Sequence, residues 1–200
     1  MRRKPVFLAV PMMLLCLLYA CNNKANDPLQ AAMDYRTALL GHGGCAFELE
    51  ARADTGDLLW ELSLACELDA SGGGTVTVLA PESIAGISAV VEDGGAGLRY
   101  EDLALGLGTL PGTELSPAQA PGRLVRAWAE AWISSAGVEG EGVLACYEAG
   151  DLSVRTWFDA EKTPLRAELA VDGQVYFTGE IKNFTWKAEN DYETVEKDLG

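Results

Sequence analysis

Cys45-Ala46-Phe47-Glu48-Leu49-Glu50-Ala51-Arg52-Ala53 and Leu58-Leu59-Trp60-Glu61-Leu62-Ser63-Leu64-Ala65-Cys66-Glu67-Leu68 decide the fold. In the first stretch the odd positions are apolar and the even ones mostly polar. In the second the even positions, Leu58 through Leu68, carry the apolar side chains. A period of two is the pattern of a half-buried strand. Between them stands Asp54-Thr55-Gly56-Asp57, whose residue types make turns. A hairpin tipped at Thr55-Gly56 sets Phe47 against Leu64, Leu49 against Leu62, Ala51 against Trp60 and Cys45 against Cys66. Every apolar partner then falls on one face, and that face specifies the register.

The same reading extends outward. After Gly72-Gly73-Gly74, strands are expected over 75–79 and 87–91, with Pro81-Glu82-Ser83-Ile84-Ala85-Gly86 as a short turn or helical stub between them. Gly94-Gly95 leads into 98–100 and 103–107. Further strands follow over 143–148, 152–158, 165–171 and 175–184, with Ala149-Gly150 and Asp172-Gly173 as hairpin turns. A first helix is expected over 29–40, with Asp27 as N-cap, Pro28 in the first turn and Gly41-His42-Gly43-Gly44 ending it. Ser116-Pro117 opens a helical segment, and Pro121 starts a longer helix to about Ser134, ended by Gly137. Leu124, Val125, Trp128, Trp132 and Ile133 lie on one side of it at helical spacing. Eight or nine antiparallel strands with a central helical insertion make an α+β fold, one curved antiparallel sheet with helices covering one face.

The N-terminus gives an address. Arg2-Arg3-Lys4 precedes an apolar run over 6–18 and the small residue Ala20, the order of a secretory signal. The run is about 13 residues, short of the roughly 20 needed to span a bilayer. Leu18-Tyr19-Ala20-Cys21 resembles the lipobox of bacterial lipoproteins, in which the cysteine after the cut carries the lipid. Tyr19 departs from the small or β-branched residue usual there. The resemblance implies a mature protein that begins at Cys21, acylated (palmitate among the expected chains), extracytoplasmic and attached to the cell membrane. The expected organisation is a signal peptide over 1–20, a lipidated terminus and tether over 21–34, a β domain over 35–186 with a helical insertion at 116–135, and an acidic tail over 187–200. The chain carries a formal charge of −15 over 200 residues, and cleavage would remove three of its basic residues. Such a surface repels nucleic acid and anionic headgroups, so no nucleic-acid partner is expected.

Three blocks carry a further resemblance. They are Val76-Thr77-Val78-Leu79-Ala80-Pro81-Glu82-Ser83-Ile84-Ala85-Gly86-Ile87; Ser116-Pro117-Ala118-Gln119-Ala120-Pro121 before the amphipathic helix; and Val154-Arg155-Thr156-Trp157-Phe158-Asp159 followed by Pro164-Leu165-Arg166-Ala167-Glu168-Leu169 and Ile181-Lys182-Asn183-Phe184. Over roughly Asp34 to Trp186 the order of strands and turns resembles the LolA-like lipoprotein-carrier superfamily, and especially its membrane-anchored relatives such as the spore-germination lipoproteins. That resemblance implies a half-open β-barrel closed by helices over an apolar cavity. It implies a lipid or lipoprotein acyl chain as ligand, or else an envelope protein docked at the membrane in sporulation or germination. An anchored chain departs from the soluble carriers and is poorly placed to shuttle between membranes.

The candidate chemistry is sparse. His42 is the single histidine and sits among glycines, where an exposed loop residue is expected. Without a second histidine or a close cysteine pair the chain has too few strong ligands for zinc, and no serine sits in a Gly-x-Ser-x-Gly turn. The glycine runs lack the lysine and following helix of a phosphate loop, and no Asp-x-Asp-x-Asp calcium loop occurs. An enzyme is not expected, nor a cofactor or metal. Cys45 and Cys66 are expected as neighbours across the hairpin, either bonded or kept as small buried thiols; Cys146 has no evident partner. The remaining asset is apolar: Trp128 and Trp132 facing Phe47, Leu49, Trp60, Leu62 and Leu64. Two readings stand for these seven residues. Either the helix packs them into an ordinary core, or it lids the sheet and leaves a pocket for an acyl chain.

Overall fold

A computed structural model describes residues 27–92, 97–100 and 107–187. The expected signal, the anchor cysteine, the Gly94-Gly95 turn, most of the strand expected at 103–107 and the acidic tail after Lys187 lie outside the described residues. Helix α1 (Pro28–His42) comes first. Strands β1 (Gly44–Asp54), β2 (Leu59–Asp69), β3 (Gly74–Ala80), β4 (Ser88–Glu92) and β5 (Gly97–Tyr100) follow. A single 3-10 turn, Pro117–Gln119, then runs into helix α2 (Ala120–Glu130). Strands β6 (Trp132–Glu139), β7 (Gly142–Ala149), β8 (Leu152–Phe158), β9 (Pro164–Val171) and β10 (Gln174–Trp186) close the chain.

The ten strands form one antiparallel sheet in the order β5-β4-β3-β2-β1-β10-β9-β8-β7-β6. The chain meanders from the central strand β1 out to one edge, crosses by α2 to the opposite edge, and meanders back to β10 beside β1. Edges β5 and β6 are not paired with each other, so the sheet stays open. One face is apolar, and both helices cover it. Cys45, Phe47, Leu49, Ala51 and Ala53 of β1 meet Leu62, Leu64, Cys66 and Leu68 of β2 there, with Tyr147, Val154, Leu169 and Phe177 from the other half. Ala32, Tyr35 and Leu39, at helical spacing, are the face α1 buries. That face makes α1 part of the folded domain from Pro28 onward, so the boundary expected between 34 and 35 cuts through a continuous helix.

The caps follow the sequence. Asp27 accepts from the Leu29 amide at 3.0 Å, and Gly43 turns left-handed at φ 69° to end α1. Ser116 and Gln119 form a reciprocal capping box, and Pro121 sits in the first turn of α2.

The β1–β2 hairpin closes through four residues, 55–58, with Asp54 opposite Leu59. A two-residue hairpin turn needs positive φ at its first central residue, which β-branched Thr55 resists. Instead Thr55 bonds Leu58 through backbone and hydroxyl, and Gly56 alone takes φ 82°. The register slides by two residues, which preserves the faces. Phe47 therefore faces Cys66, Leu49 faces Leu64, Ala51 faces Leu62, and Cys45 faces Leu68 rather than Cys66. The two cysteines are diagonal, where Cα atoms stand about 7–8 Å apart, outside the usual reach of a disulfide, and both thiols are free.

The helix expected to reach Ser134 is shorter. It stops at Glu130, and Ala131 is extended at φ −68°, ψ 154°. Arg36 of α1 receives the end, donating from Nε to the Trp128 carbonyl at 2.8 Å and from its guanidinium to the Ala131 carbonyl at 2.5 Å. Trp132, Ile133 and Gly137 belong to strand β6, so Trp132 shares no helical face with Trp128. At the β7–β8 turn, Ala149 pairs with Leu152, which leaves Gly150-Asp151 rather than Ala149-Gly150 at the tip.

Candidate functional site: a cleft beside the second helix

Among the described residues, the seven expected to line an apolar cavity do not line one opening together. Phe47, Leu49, Leu62, Leu64 and Trp128 are buried in the continuous core. Trp128 donates from its indole nitrogen to the Thr156 hydroxyl at 2.8 Å, which pins α2 to β8. Tyr35 fills the space beside it, edge-on to Trp128 at 5.6 Å and against Phe158 at 4.8 Å. Trp60 is half-buried on the margin of the core. Trp132 is 75% exposed. Among the described residues, the space between α2 and the middle of the sheet is filled by these side chains.

Space remains at the side. A cleft of about 330 Å³ opens between α2 and strands β8 and β9. Ala127 and Ala131 form one apolar wall, and Leu152, Val154 and Leu169 the other. Antiparallel pairing places Val154 directly opposite Leu169, and Ala127 of α2 and Ala131 just past its end complete the lining. Arg123, Arg126 and Glu130 stand on the rim. Arg126 pairs with Glu130 one turn on, at 3.2 Å. The Arg123 Nε is buried with no hydrogen-bond partner. Burial first, and then the charge of Arg126, press the Arg123 guanidinium below the ordinary arginine value. A guanidinium at a rim is a planar donor suited to an anionic head.

The sequence had marked α2 as the covering element without singling out Arg123, because an arginine on the polar side of an amphipathic helix looks like any solvated charge. The i, i+3 pair of like charges, Arg123 and Arg126, was the available signal.

Other openings lack this combination. A wider one, about 770 Å³, is a trough where Glu50, Arg52, Glu61, Arg166 and Glu180 present charges of both signs. Nearby, Glu168 is held between Arg155, at 2.6 Å, and Arg166, whose guanidinium also lies over Trp157 at 4.8 Å from the ring. His42 stacks on Trp186 at 5.3 Å and is exposed. Among the described residues no group of three or more His, Cys, Asp or Glu is placed to hold a metal ion, and no helix is long and apolar enough to cross a membrane.

Burial pushes the Cys45 thiol up to about 12 from an ordinary 9.0. It pushes Cys66 higher still, and raises the phenols of Tyr35 and Tyr147 above their ordinary 10.0. From about pH 9 upward the unfolded chain releases these protons while the native chain keeps them, so stability is fully present below that pH and falls as pH rises. Urea midpoints are therefore expected to drop above about pH 9. At pH 8, Cys45 and Cys66 should resist a thiol reagent until denaturant is added. Rapid native labelling of either, located by peptide mass, would contradict their burial.

No family model matches the chain, and no curated protein does. Solved structures do match. A LolA-superfamily protein from Nitrosomonas europaea is 7% identical, over 81% of this chain and 94% of that one, with a TM-score of 0.38. A DUF1329-family protein from Desulfovibrio piger is 10% identical, over 80% of this chain and 94% of that one, at 0.37. The structure of the Pseudomonas aeruginosa MucA/MucB complex is 16% identical, over 77% of this chain and 56% of that one, at 0.39.

Proposed function

We propose that this chain is a non-catalytic, extracytoplasmic lipoprotein, anchored through Cys21, that binds the apolar chain of an anionic amphiphile in the cleft beside α2. The observation that carries the reading is the cleft itself, with Ala127, Ala131, Leu152, Val154 and Leu169 as apolar walls and Arg123, Arg126 and Glu130 at its rim. Its volume is near the lower end of the roughly 300–1,000 Å³ of small-molecule sites, which suits one chain rather than a whole lipid. The walls supply dispersion and desolvation, and the guanidinium of Arg123 fixes a carboxylate or phosphate head.

A second reading is a membrane-tethered protein-docking module, the role implied by likeness to the germination lipoproteins. The filled core around Trp128 and Tyr35 favours it.

Titration of delipidated protein with cis-parinaric acid tests the first reading. Saturable enhancement at one site per chain is expected. Leu152→Trp should abolish it by filling the slot. Arg123→Gln should weaken it roughly tenfold while leaving the uncharged methyl ester unaffected. Absence of saturable binding, or binding indifferent to Leu152→Trp, would sink the cleft as the site.

A further inference from the structure

We infer that the free edge of β6 docks an extended segment of a partner protein, apolar at its centre and basic at its ends, as a further strand of the sheet. The inference deepens the protein-docking reading, on which it rests, and does not depend on what occupies the cleft. β6 is the last strand of the sheet, with β7 on one side and, among the described residues, no strand on the other. None of its eight residues is buried. An edge strand presents a row of unpaired N–H and C=O groups, the template for strand addition. Edges are ordinarily guarded by short length, proline, lysine or a bulge. The opposite edge, β5, spans four residues. β6 has neither proline nor lysine. Its one bulge falls between Ile133 and Ser135, and from Ser135 to Glu139 the strand keeps regular register with β7. The middle of β6 is small, Ser134-Ser135-Ala136-Gly137, and lies between Trp132 and Val138, which are 75% and 65% exposed. Bulky apolar side chains of an added strand find room over that dip.

Charge selects the occupant. Between Ala127 and Val154 the chain carries five acidic residues, all exposed, and no lysine or arginine. At one end of β6, Trp132 pairs with the exposed Glu148. At the other, Glu139 closes the strand and Glu141 stands in the turn after it. Val138 opens there onto Asp27 and Asp159, while Asp34 is held by Lys162 at 2.7 Å. The edge is therefore uncharged over 132–138 and acidic at both ends. A partner strand with Lys or Arg on either side of an apolar centre is attracted at each end, and complementarity of this kind sets both choice of partner and register. A second copy fits poorly. Antiparallel pairing of β6 with itself lays the Glu139 end of one chain against the Glu148 end of the other, acid on acid, in a chain of net charge −15.

Two fluorescently labelled peptides test this on the full-length protein: Lys-Lys-Val-Thr-Val-Thr-Val-Lys-Lys, and its counterpart with Glu in place of every Lys. Anisotropy measures binding, and amide hydrogen exchange read by mass spectrometry locates it. Saturable binding of the lysine peptide is expected, weakened by salt, with exchange slowed over 132–139 alone; the glutamate peptide should not bind. A Cβ at Gly137 meets nothing within 4 Å, so Gly137→Lys keeps the fold while placing a like charge on the edge, and it should weaken the lysine peptide roughly tenfold. Glu139→Lys combined with Glu141→Lys should move the preference toward the glutamate peptide. Lysine peptide that binds but slows exchange only outside 132–139 overturns the edge and leaves a docking module standing. Equal binding of the two peptides overturns the selection by charge. No saturable binding of either overturns both the edge and the docking reading. Exchange over 132–139 that slows with protein concentration alone assigns the edge to a second copy and overturns the partner.

Discussion

Trp128→Ala is expected to lower stability by about 3–5 kcal/mol, the range for emptying a large aromatic site in a packed core. Trp128 is fully buried on α2, with Tyr35 edge-on and Phe47 at 6.2 Å. The substitution removes its dispersion contacts and strands the Thr156 hydroxyl, itself fully buried, without the indole donor. Trp128→Phe restores much of the volume but not the hydrogen bond, so it should fall between. Urea midpoints followed by circular dichroism measure both. A loss under about 1 kcal/mol for Trp128→Ala would mean that α2 is not pinned through this residue.

Gly72→Ala is the second large effect. Gly72 has φ 82°, where a side chain is strained, and a Cβ there would stand 2.2 Å from the Gly122 carbonyl oxygen in the first turn of α2. The backbone term is about 1–2 kcal/mol, and the collision adds about 1–3 kcal/mol if the helix shifts to relieve it. Gly86→Ala is the control, since φ is 85° with nothing within 4 Å, so it carries the backbone term alone. Gly72→Ala should be the more destabilising of the two by urea unfolding. Because relief requires α2 to lift, it should also alter parinaric acid binding beside Leu152 and Val154. Equal losses for the two glycines would contradict the close approach of α2 to the β2–β3 turn.

Most of the sheet was legible because its chemistry is local. Alternation located nine of the ten strands, and Asp172-Gly173 fixed its turn through a left-handed pair at φ 50° and 79°. The hairpin faces were right and its register wrong for one reason: a slide of two residues keeps every apolar side chain inward, so periodicity cannot distinguish the alternatives. Strand β6 was missed because Trp132 and Ile133 continue the helical spacing of Leu124, Val125 and Trp128. What ends the helix is Arg36, distant in sequence, bound to the Trp128 and Ala131 carbonyls. The cleft was illegible for a related reason. Leu152, Val154 and Leu169 read as ordinary core positions, and only the tertiary placement of α2 leaves room above them.

The central claim is that an amphiphile occupies that room. Soaking crystals of the delipidated protein in 12-bromododecanoic acid and locating bromine by anomalous scattering is the most direct measurement. A single peak is expected between Ala131, Leu152 and Leu169, with the carboxylate against Arg123. Bromine at another site, or none in the cleft at saturating acid, would contradict it.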